Sequence, residues 1–252
     1  MFVRNERSIK EFMHLYPVVS WLVIIHLGLW LLTGLLQTPL GSFIENWGRG
    51  VNFYISQGQY WRLVTSMFLH AGLMHALFNS FALVLFGPAL EQMLGKLKFI
   101  LAYVGAGLIG NIATFLLGPA IYAHVGASGA IYGLFGIYVF MVAFRKQLID
   151  QSSSQIIMTI FIIGLVMTFI RPGINIYAHV FGFIGGFAIA PLVLTNVRPY
   201  APWRYRTYSN DGSVQFDPNR WQKKQRNKNV FKYSLWIILG ILVVAGLFGR
   251  IF

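Results

Sequence analysis

The 252 residues are 56% hydrophobic and 11% charged, with a mean hydropathy of +0.62 and a formal net charge of +13. A water-soluble domain carries about a quarter charged residues, so this composition excludes an ordinary soluble globule and points to a bilayer as solvent. The absence of cysteine excludes disulfides, a thiol nucleophile and thiolate metal sites, and it leaves the redox compartment open.

Residues 1–17 form a basic segment containing Arg4, Arg7 and Lys10. Seven apolar runs follow, bounded by charge or by Gly and Pro, at 18–36, 72–93, 98–118, 128–144, 155–170, 177–195 and 231–249. About 20 helical residues cross about 30 Å of hydrocarbon, so each run is predicted to span; the fifth is short. The first run exceeds the length of a signal-peptide core and no A-x-A-like site follows it, so a retained anchor is expected. Residues 37–71 carry Trp47, Phe53, Tyr54, Tyr60 and Trp61, a mixture suited to a partly buried interfacial loop. The connection 196–230 is basic and polar, an interfacial or flexible tether drawn to anionic headgroups. The expected fold is therefore all-α, a polytopic membrane bundle with a core over 18–195 and a last span within 231–252.

Lys and Arg test the alternation of these spans. Sixteen fall on one side: Arg4, Arg7, Lys10, Lys96, Lys98, Arg145, Lys146 and the nine from Arg198 through Lys232. Only Arg49, Arg62, Arg171 and Arg250 fall on the other. The bias predicts a cytoplasmic N-terminus and an outside C-terminus, with anionic lipid as a partner of the basic face. In a soluble chain such an excess would suggest nucleic acid; here it follows the membrane, and no nucleic-acid partner is expected.

Polar groups inside a span cost several kcal/mol unless paired, which makes them functional candidates. His26, His75, Asn79, Glu91, Asn111, Ser128 and His179 meet this criterion. Ser128 opens the fourth run among Gly126, Gly129, Gly133 and Gly136, a pattern that taken alone favours a small-residue packing face. In the sixth run His179, Gly182, Gly186 and Ala190 form one helical stripe with the histidine at its outer end. Two glycine-faced helices can approach closely, bringing His179 toward the Ser128 hydroxyl, which needs such a base to act as a nucleophile. His75 and Asn79, four residues apart on one face of the second run, lie at the same depth and could donate to an oxyanion.

These residues resemble a known family, the rhomboid intramembrane serine proteases, over about Trp61 through Ala190. The matching fragments are Trp61-Arg62, His75-Ala-Leu-Phe-Asn79, Gly126-Ala127-Ser128-Gly129, and Ala178-His179-Val-Phe-Gly182 with Gly186 beyond. The resemblance implies a six-span rhomboid-like core plus one, with Ser128 as nucleophile and His179 as general base. It also implies oxyanion donors from His75, Asn79 and the Ala127 and Ser128 backbone. Tyr132 would pack against the histidine ring, while Trp61, Arg62 and Glu91 would serve as scaffold. The implied reaction cuts a substrate's transmembrane helix near its outer end, at small residues, and needs water but no cofactor.

Other histidines carry weaker readings. His70 is expected to order the loop entering the second span, His124 to be a solvated loop residue, and His26 to bond a nearby backbone carbonyl. Asn111 reads as helix–helix glue. A metal enzyme lacks its His-Glu-x-x-His pattern here. A non-catalytic membrane-helix binder would require none of the four polar residues, and a transporter would place its polar groups at mid-membrane. The natural substrate and the oligomeric state are not legible.

Overall fold

The computed structural model describes residues 6, 8–36 and 38–201. The seventh predicted span and most of the basic connection lie outside the described residues.

A short helix, α1 (Ile9–Leu15), is capped by Ser8, whose hydroxyl accepts from Glu11 N at 3.1 Å. Pro17, suited to a first helical position, starts α2 (Pro17–Trp30), which continues through a π-helical turn at Leu31–Leu35. The interfacial loop predicted for 37–71 has its own structure. It contains α3 (Pro39–Gly48), β1 (Gly50–Val51), α4 (Asn52–Ser56), α5 (Arg62–Thr65) and a 3₁₀ turn at Ser66–Phe68. Arg62 holds it together: Nη1 donates to the carbonyls of Asn46 and Arg49 at 2.7 and 2.6 Å, and Nε donates to Gln59 Oε1 at 2.7 Å. Trp61 stacks on Trp47 with ring centroids 5.7 Å apart.

The long helices then follow: α6 (Leu73–Leu94), α7 (Lys96–Leu117), α8 (Ser128–Phe144), α9 (Gln151–Ile170) and α10 (Ile176–Val193). Gly95 alone joins α6 to α7, at φ +77°, a left-handed conformation that glycine adopts without penalty. A two-residue strand, β2 (Ala123–His124), precedes α8 and pairs antiparallel with β1, Gly50 opposite His124. The fifth predicted run starts earlier than its apolar residues suggest. Asp150 caps α9 by accepting from Ser153 N at 2.9 Å, which draws the polar Ser152–Ser154 stretch into the helix.

Among the described residues, five helical segments are long and apolar enough to cross a membrane: 17–35, α6, α7, α9 and α10. Helix α8 has 17 residues. At about 1.5 Å per residue it is about 26 Å long, somewhat less than the hydrocarbon thickness. Alternation along the chain brings the first turns of α6, α8 and α10 to the same end as the 39–68 excursion.

Glycines govern the packing at the centre. A Cβ on Gly182 would fall 2.9 Å from the carbonyl carbon of Gly129, and one on Gly136 would fall 2.6 Å from Phe187 N. One on Gly110 of α7 would fall 2.6 Å from the Ala178 carbonyl oxygen. These are backbone-to-backbone approaches that no larger residue permits. Elsewhere polar side chains join the helices. Glu91 accepts from Val18 N and Val19 N at 2.9 and 2.8 Å, satisfying first-turn donors of α2. Tyr138 donates to Phe86 O at 2.6 Å, tying α8 to α6.

Candidate active site

Ser128 is the first residue of α8, with Ala127 as its N-cap and Gly126 preceding at φ +127°. That φ strongly favours glycine, and a Cβ on Gly126 would also fall 2.6 Å from Cε1 of His75. The turn into α8 therefore lies directly against the His75 ring. Its position is fixed from the other side by Gly126 N, which donates to Ser66 O at 2.9 Å. Ala127 is fully buried, whereas Ser128 is half-exposed. The amides of the first turn of a helix have no acceptor within that helix, so the N–H groups at Ser128 sit at the positive end of the α8 dipole.

His75 lies in the first turn of α6 and is half-exposed; Asn79, one turn on, is buried. The Asn79 amide donates to the His75 carbonyl at 2.8 Å, which orients the side chain and leaves its second amide proton for another acceptor.

His179 is 7% exposed, in the first turn of α10. That turn is pinned at its start. Asn175 Oδ1 accepts from Ala178 N at 3.0 Å, and Asn175 Nδ2 donates to Thr114 Oγ1 on α7 at 3.0 Å. Ala178, beside His179, opposes Gly129, beside Ser128: a Cβ on Gly129 would lie 3.1 Å from Ala178 O. Gly182 and Gly186 continue the same contact down the helix pair, against Gly129 and Gly133.

The His179 ring stacks on Tyr132, with centroids 4.1 Å apart and planes at 19°. Its Nδ1 lies 2.8 Å from Thr168 Oγ1 at the end of α9. The same hydroxyl is 2.9 Å from the Tyr132 hydroxyl and 2.9 Å from the Gly164 carbonyl. Thr168 is not legible as a site residue in the sequence. A lone threonine in an apolar run usually bonds its own helix, as Thr168 also does, and only the tertiary contact distinguishes it.

Two of the remaining histidines, His26 and His124, differ from expectation. His26 is fully buried, and its ring lies 5.0 Å from that of His70. Its nearest hydrogen-bonding atom is the Tyr103 hydroxyl at 3.4 Å rather than a carbonyl of its own helix. His70 in turn lies 5.1 Å from His75, making a row of three imidazoles behind the α6 turn. His124 is buried, not solvated, because β1–β2 pairing folds it over Gly50 and stacks it on Tyr122. Both loop histidines are held below the usual range by burial, His70 at about 3 and His124 at about 4. Asn111 donates to Leu63 O at 2.7 Å and to Ser66 Oγ at 3.1 Å, joining α7 to the excursion. Among the described residues no group of three or more His, Asp or Glu is arranged to hold a metal ion.

A family model described as a rhomboid domain matches residues 57–196. The rhomboid-family protein YdcA of Bacillus subtilis is 47% identical over 192 residues, which cover 75% of this chain and 94% of that protein. Rhomboid protease GluP of the same organism is 38% identical over 143 residues, 57% of this chain and 28% of GluP. The mitochondrial RHOMBOID-like protein 6 of Arabidopsis thaliana is 31% identical over 214 residues, 83% of this chain and 65% of that protein. The matched region contains every residue of the site described above, from His75 to Gly186, and the chain belongs to the rhomboid family of multi-pass intramembrane serine proteases.

Proposed function

We propose that this chain cleaves transmembrane helices of membrane-protein substrates with a Ser128–His179 dyad. The observation that carries the reading is the glycine interface of α8 and α10. It seats Ala178 against Gly129 and so brings the turns bearing Ser128 and His179 together at one end of the bundle.

In the proposed sequence Ser128 Oγ attacks the scissile carbonyl carbon while His179 accepts the hydroxyl proton. Charge builds on the carbonyl oxygen. The donors available around it are the Ala127 and Ser128 backbone amides, the His75 ring and the free amide proton of Asn79. Collapse breaks the C–N bond, and His179 returns the proton to the leaving amine. Water, deprotonated by the same histidine, then attacks the acyl carbon and regenerates Ser128. No aspartate takes part; the Tyr132 ring lies flat on the imidazole and limits its rotation. A half-exposed serine under a structured excursion suits entry of water and of a partly unwound substrate from that end. The sixteen-to-four distribution of Lys and Arg supports an outside location for that end with the N-terminus cytoplasmic, and it suits a bacterial plasma membrane with anionic lipid at the basic face. Family resemblance adds a preference for small residues at the cut.

The test is cleavage of a tagged single-span substrate in proteoliposomes by the native chain, Ser128→Ala and His179→Ala. Both variants should lose product, and a fluorophosphonate should label the native chain at Ser128. Undiminished product from either variant would remove that residue from the dyad.

A further inference from the structure

We propose that Thr168 is the positioning residue of His179, selecting the tautomer that leaves Nε2 free to accept a proton. The inference rests on the dyad reading above and supplies what a third catalytic carboxylate would otherwise provide.

The protons shared at one oxygen distinguish the two tautomers. A threonine hydroxyl has one proton to give and two lone pairs to receive with. Thr168 Oγ1 has three partners: the Gly164 carbonyl at 2.9 Å, the Tyr132 hydroxyl at 2.9 Å and His179 Nδ1 at 2.8 Å. The carbonyl, which also receives the Thr168 backbone N–H within α9, can only accept, so the side-chain contact is a hydrogen bond only if it takes the one Thr168 hydroxyl proton. The other two contacts are then hydrogen bonds only if Tyr132 donates its phenolic proton and His179 donates from Nδ1. In a neutral imidazole a proton on Nδ1 means a lone pair on Nε2. The opposite tautomer would require Thr168 to donate to Nδ1, leaving the Gly164 carbonyl without that bond, and would protonate the nitrogen that has to act as base. That arrangement holds one hydrogen bond fewer, and with Thr168 1% and His179 7% exposed water does not readily replace it.

The surroundings are built for this arrangement. Thr168 lies eleven residues before His179, across the turn that links α9 to α10, and its bond to Gly164 is a regular i to i−4 contact. Gly164 also clears space for the phenol, since a Cβ there would fall 2.8 Å from the Tyr132 hydroxyl oxygen. One hydroxyl thus fixes the ring's plane through Tyr132 and its proton through Nδ1.

Two measurements test the proposal. The ¹⁵N spectrum of histidine-labelled resting enzyme, with the His179 signals identified by their loss in His179→Ala, should show a neutral ring protonated at Nδ1. The same signature should persist in Ser128→Ala, so failure of the dyad reading would not be confused with failure of this one. Finding the proton on Nε2 would overturn the proposal without any Thr168 variant. In proteoliposome cleavage, Thr168→Val should lower kcat about 10- to 100-fold with KM little changed, as a buried donor loses its acceptor. Thr168→Ser, which keeps the hydroxyl, should recover activity to within about threefold of native. A valine variant as fast as native, or a serine variant as slow as the valine one, would reduce Thr168 to packing. If the valine variant does not fold, the serine variant and the native spectrum decide.

Discussion

Substituting Gly182 by alanine probes whether the approach of α8 and α10 sets the rate. The added Cβ would fall 2.9 Å from the carbonyl carbon and 3.1 Å from the Cα of Gly129, and closer still to its carbonyl oxygen. Ordinary contact begins near 3.4 Å, and a backbone carbonyl inside a helix cannot turn away. The helices must therefore part by about 1 Å at the turn next to Ser128 and His179. Overpacking of this kind costs about 1–3 kcal/mol in stability. A displacement of about 1 Å between reacting groups lowers turnover by about 10²-fold. Thermal unfolding and kcat for a single-span substrate in proteoliposomes separate the two effects. Gly105→Ala on α7 provides a control, because nothing lies within 4 Å of its added Cβ. It should match the native chain in rate. A Gly182→Ala enzyme that retains more than half the native kcat would refute the idea that this interface holds the two residues in register.

Gly126→Ala meets both an unfavourable φ and the His75 ring, and should lower kcat by more than tenfold while Gly126→Ser does no better; activity near native would show that the turn relaxes freely. His75→Ala and Asn79→Ala should each lower kcat, by about 10²-fold if each is an oxyanion donor, without shifting the unfolding temperature enough to explain it; no loss would return them to packing. His70 and His124 take protons less readily in the folded protein than in the unfolded chain. Their contribution to stability is therefore full above about pH 6.5 and falls as pH drops toward their folded values of about 3 and 4. At pH 5 each should have cost roughly 2 kcal/mol relative to pH 7.5. Unfolding temperatures should fall accordingly, with a shallower slope in His70→Gln or His124→Gln. An unchanged slope in both would show that the rings are protonated without penalty.

Hydropathy located every described membrane helix to within a few residues, because length and apolar content are local properties of the chain. Their ends were less legible where polar caps extend a helix beyond its apolar run, as Asp150 does for α9. The 37–71 excursion could be recognised by its aromatic content but not by its helices, which rest on contacts such as Arg62 to Asn46 and Arg49. Ser128, His179, His75 and Asn79 stood out because polar groups in apolar runs are few and their helical phases are easily counted. Thr168 did not, since a threonine satisfied by its own helix leaves no mark in the sequence; its second and third bonds come from α8 and α10. The same limit explains His124, whose burial depends on a two-residue ladder formed with a segment more than seventy positions earlier.

The pinning of α10 at its first turn has a consequence for biogenesis. During synthesis Ser128 and the amides beside it enter the membrane with α8, while His179, Asn175 and the Thr168 contact come together only when α9 and α10 have followed. With the proposed dyad, a partly inserted chain holds an alcohol without its base, and cleavage waits until the core is nearly complete. The order of helices along the chain acts as a delay.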